Sequence, residues 1–118
     1  MRMLLLAGLL AATAFAARAE DEATPDSNRD DVRCVIGMSV MSRNEQYQVW
    51  GTHGVFFYAG RIEGRSPGFD LAGAIKREVR QIPAANYNGI IQRCSALLGD
   101  KSRAYEAMKP PEPRGVGR

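Results

Sequence analysis

Two cysteines, Cys34 and Cys94, separated by 60 positions, constrain the fold of this chain more than any other feature. Whether they pair depends on the compartment, and the N-terminus speaks to that. Met1-Arg2-Met3 is a short, positively charged start, Leu4 to Ala16 is an apolar run interrupted only by Thr13, and Ala17-Arg18-Ala19 places small residues where a signal peptidase cuts. This is the three-part layout of a secretory signal peptide over residues 1–19, with Ala14-Phe15-Ala16 offering an alternative cut after Ala16. The run falls short of the roughly 20 apolar residues that a spanning helix needs, so an integral membrane protein is not expected. Export to the periplasm or beyond puts both thiols in an oxidising compartment, where they pair. A bridge closing a loop of this length contributes roughly 4 kcal/mol on the chain-entropy model. A redox pair would instead be spaced C-x-x-C, and a structural zinc site would need about four ligands where the chain has one histidine.

Cleavage after Ala19 changes the charge argument. Arg2 and Arg18 leave with the signal, so 16 basic side chains become 14 against 13 acidic ones, and the formal +3 falls to +1. That balance argues against a nucleic-acid partner. Six of the acids lie at Glu20, Asp21, Glu22, Asp26, Asp30 and Asp31, and read as a solvated entry segment.

Hydrophobic periodicity then predicts an all-α fold, a small bundle of four longer helices plus a short fifth, tied by one disulfide. Residues 20–29 form a flexible acidic lead-in and 30–109 the helical domain. Asn28 or Asp30 can cap a first helix over about 31–42, apolar nearly all round and therefore central. Ser42-Arg43-Asn44 breaks the pattern before a second helix. Its Tyr47, Trp50, Gly51, Gly54, Phe57 and Tyr58 recur at steps of three and four. The run over 54–60 fits helix or strand, with helix favoured because it continues the preceding period. Gly60, Gly64, Pro67 and Gly68 mark a loop holding Arg61 and Arg65. Asp70 can cap a third helix carrying Leu71, Ile75, Val79 and Ile82 inward and Lys76, Arg77, Glu78 and Arg80 outward, stopped by Pro83. Asn86 or Asn88 starts a fourth helix ending at Gly99, a fifth covers about 100–108, and 110–118 is a disordered Pro/Gly/Arg tail.

No catalytic signature emerges, and neither a cofactor nor a metal is expected. The single histidine, His53, lacks a nucleophile–base spacing, and no C-x-x-C-H haem attachment occurs. The acids at 20–22 and Asp30-Asp31 sit in the lead-in, where nothing pushes their pKa values apart. Two surfaces remain. Tyr47, Trp50, Phe56, Phe57 and Tyr58 form a candidate interaction surface, because Trp and Tyr suit interfaces and five apolar positions in a row (Val55 to Ala59) are hard to hide on one helix face. Arg61, Arg65, Lys76, Arg77 and Arg80 form a candidate basic patch for anions or lipid headgroups, although a solvated helix face is the commoner outcome.

The text IIQRCSALLGD followed by YEAMK resembles the late helices of the HdeA-type periplasmic acid-stress chaperones at the level of pattern. That resemblance implies a small exported all-helical holdase, tied by one disulfide, that loosens at low pH and covers unfolding clients. The long cysteine interval, the glycine-rich aromatic second helix and the proline tail depart from the family. Protonating 13 carboxylates in strong acid takes the cleaved chain from +1 to about +14, a self-repulsion that favours opening. The expected function is a non-enzymatic binding or chaperone-like module acting on a protein partner or unfolding client, with homodimerisation possible. The alternatives are an accessory subunit of a cell-envelope complex and, third, an enzyme of unrecognised type.

Overall fold

The computed structural model describes residues 25–115. The expected signal peptide and residues 20–24 of the expected lead-in lie outside the described residues. Four α-helices and two single 3₁₀ turns build an all-α bundle, with no strand among the described residues.

Helix α1 spans Pro25–Met41 and is the hub, packed against the other three helices. It begins earlier than its apolar period predicts. Proline suits a first helical turn because its missing amide hydrogen is not needed there. Asn28 and Asp30 therefore lie inside the helix instead of capping it. Val32, Cys34, Val35, Ile36 and Met38 are all buried, as expected of a central helix.

After a turn at 42–44, the Asn44 side chain accepts from the Gln46 amide and caps a 3₁₀ turn over Glu45–Tyr47. Helix α2, Gln48–Arg65, follows directly. Residues 54–60 are helical, which resolves the helix-or-strand alternative. The helix also runs through Gly60 and Gly64, so Arg61 and Arg65 are helical and not in a loop. α2 lies antiparallel to α1 at close range. A Cβ on Gly51 would sit 2.5 Å from the Ser42 nitrogen, and one on Gly54 would fall on the Met38 side chain. Here glycine is required by the approach of the two backbones.

Gly68, at φ +80°, turns the chain toward α3, Leu71–Val79. Asp70 caps α3 as expected, accepting from the Gly73 amide at 3.0 Å. The helix ends three residues before Ile82, because the residue ahead of a proline avoids helical geometry. A 3₁₀ turn over Ala84–Asn86 leads into α4, Tyr87–Ala107. α4 is continuous, so the expected fifth helix is its last two turns. Gly99 keeps a negative φ, and interior glycine costs only about 1 kcal/mol. Disulfide Cys34–Cys94 joins α1 to α4 as predicted, next to Gly37, where a Cβ would lie 2.9 Å from Ile90 Cγ2. No described helix is long and apolar enough to cross a membrane.

Candidate functional site

At 3.6 residues per turn, α2 divides into two faces. Gly51, Gly54, Tyr58 and Ile62 are buried against α1 and α4. Opposite them, Val49, Thr52, His53, Phe56, Gly60, Glu63 and Gly64 are exposed. Val49 keeps 70% of its surface in solvent and Phe56 72%, a large exposure for apolar side chains on a helix.

The predicted aromatic surface is split by this geometry. Tyr58 is fully buried and belongs to the core, contrary to the surface role expected of it. Its hydroxyl donates to the Cys94 carbonyl at 2.6 Å, and burial pushes its pKa up to about 12. Trp50 is half-buried and donates from Nε1 to Ser95 Oγ at 3.3 Å. Phe57 is half-buried, edge-on to Tyr58 and beneath the Arg61 guanidinium, 5.6 Å from the ring centroid. Only Phe56 and Tyr47 are exposed. Successive helical residues point about 100° apart, so three consecutive rings cannot share a face. Val49, which completes the exposed apolar line, lies two helical turns before Phe56 and was not among the predicted residues.

The predicted basic patch is not assembled either. Arg61 Nε lies 3.1 Å from Asp31 Oδ2, and Arg65 Nη2 contacts the same oxygen. Arg65 also donates to Asn28 Oδ1 and to the Ser27 carbonyl, both at 3.2 Å, and Asn28 donates to Ser66 Oγ. Asp31 is thus buried and paired, not part of an exposed lead-in. Glu78, expected on the outer side of α3, is buried as well. Its Oε1 accepts from Arg29 Nε at 2.9 Å and Arg33 Nε at 2.6 Å. Burial alone would raise the Glu78 pKa. The two guanidinium hydrogen bonds outweigh that and hold it below its ordinary value. Lys76 and Arg77 on α3 and Arg80 just past its end remain exposed, separate from the Asp31 clamp. The available signal was arginine spaced by four, at 29/33 and again at 61/65, each pair reaching one acid on a neighbouring helix.

Several concavities mark the surface of the described residues. An apolar groove of about 500 Å³ runs between α1 and α3, lined by Val35, Ile36, Val40, Ile75, Val79 and Tyr87. A cleft of about 360 Å³ lies beside Arg29, Phe69, Arg77 and Glu78. A hollow of about 400 Å³ lies over Gly60, Arg61, Gly64 and Arg65 on α2. His53 is exposed, and no three metal-ligating side chains gather among the described residues.

No family model, curated protein or solved structure matches the chain. The described residues offer exposed apolar surface on α2 and buried ion pairs between helices.

Proposed function

We propose that the chain is an exported, non-enzymatic binding or chaperone-like module that acts on protein surfaces through the outer face of α2. The observation that carries this reading is the exposure of Phe56 and Val49 on a helix whose opposite face is fully packed. The buried Glu78 supports the acid-responsive form of the same reading. Its neutralisation removes the charge pairing with Arg29 and Arg33 that ties α3 to α1, while Cys34–Cys94 keeps α4 attached. A constitutive accessory subunit of an envelope complex is the second reading. It is favoured by Phe56 being exposed already in the folded bundle, with no opening required.

The test follows purified oxidised protein from pH 7 to pH 2 with a dye for apolar surface and an aggregating client protein. Dye binding and client protection that rise together below about pH 4, and that drop in Phe56→Ser, are the expected result. A dye-silent protein that never protects rejects the holdase and leaves the constitutive subunit.

A further inference from the structure

We propose that the outer face of α2 pairs with the same face of a second copy of this chain, antiparallel about a two-fold axis, so that each Phe56 enters the hollow over the partner's Gly60. The inference rests on the reading of this face as a protein-contacting surface and names its partner. The seven exposed residues of the face lie within about a third of the helix circumference, a strip suited to one facing helix.

The register follows from two-fold symmetry, under which residue i meeting j requires j to meet i. With Phe56 against the partner's Gly60, Thr52 falls against Gly64 and His53 against Glu63. Phe56 and Thr52 then each meet a glycine, and the imidazole N–H has a carboxylate to donate to. His53 and Glu63 make no ion pair or hydrogen bond within the chain among the described residues, so both are free for this contact. Displacing the register by one turn one way sets Phe56 on Phe56 and Glu63 on Val49. Displacing it the other way leaves Glu63 against Phe57. A parallel pairing sets Glu63 on Glu63, which repels. Only the first antiparallel register satisfies both shape and charge.

The glycines add a separate argument. Gly51 and Gly54 are demanded by the packing of α2 on α1, but nothing lies within 4 Å of a Cβ built on Gly60 or Gly64. Each costs about 1 kcal/mol of helix propensity with no return inside the monomer. Together they open the hollow of about 400 Å³, large enough for a phenyl ring, with Arg61 at its edge to face the ring's π surface.

Sedimentation of the purified oxidised protein from about 1 μM to 1 mM at neutral pH tests the pairing, with a reversible monomer–dimer equilibrium expected. Gly60→Leu puts a side chain into the hollow from a position whose Cβ meets nothing of its own chain within 4 Å. It should raise thermal stability yet weaken dimerisation by about tenfold or more. His53→Glu and Glu63→Lys should each weaken the dimer several-fold, and the double variant should restore it. A protein monomeric throughout, or a dimer indifferent to Gly60→Leu and to the charge exchange, overturns the proposal. Phe56→Ser separates the two levels. If it abolishes client protection in a protein that never dimerises, the contact surface stands and the second copy falls. If it changes neither protection nor association, both fall.

Discussion

The bundle uses one motif twice with its polarity reversed. At Asp31, the hub helix supplies the acid and α2 supplies two arginines one turn apart. At Glu78, α3 supplies the acid and the hub supplies the two arginines. Their surroundings differ. The Arg65 side chain is only 6% exposed and makes two further hydrogen bonds, to Asn28 and to the Ser27 carbonyl, and Asn28 is itself held by Ser66. Arg29 is 50% exposed, and its other nitrogen reaches only Gln81 at the rim. A charge pair closed off from water is costly to break because the survivor is left buried, whereas one at the rim can be rehydrated.

Removing one arginine from each clamp is the strongest way to break this contrast. Arg65→Met should destabilise the protein by about 3–5 kcal/mol in urea unfolding with the disulfide intact, and Arg29→Met by less than about 1 kcal/mol. Equal losses would show that the two clamps do not differ. A smaller effect comes from Glu78→Gln, about 1–2 kcal/mol at neutral pH. Because the folded pKa of Glu78 lies below its ordinary value of 4.5, its contribution is complete above that value and disappears as pH falls through the folded pKa. The glutamine variant should therefore show a flatter fall in urea midpoint on acidification than the parent, and an unchanged slope would assign the acid response elsewhere. Smallest is the effect of salt. Raising it to about 1 M should erase most of the Arg29→Met difference and leave the Arg65→Met difference largely intact, because a half-exposed pair is screened and a closed one is not.

Much of the frame was legible in the chain, for reasons the same residues make plain. Val32, Val35, Ile36 and Met38 alternate at helical steps because α1 is buried on nearly every side, and the Asp70 cap and the Cys34–Cys94 bridge carry signals that neighbouring elements do not alter. Glycine misled. Gly60, Gly64 and Gly99 read as punctuation, yet each sits in a continuous helix, since the propensity lost at one position is smaller than the packing gained on both sides. The clamps were hidden for another reason. Asp31 and Glu78 resemble surface acids until helices distant in sequence bring arginines to them, and the run from Phe56 to Tyr58 hides its division between solvent and core until the helix phase is fixed.

The ties that radiate from α1 differ in what dissolves them. Acid, by protonating Glu78, acts on the ion pairs to α3, and a reductant acts on the bond to α4, so neither agent substitutes for the other. Applied singly, each should detach a different part of the molecule from the same helix. Applied in sequence, they make the order of disassembly a matter of solvent chemistry and not of chain connectivity.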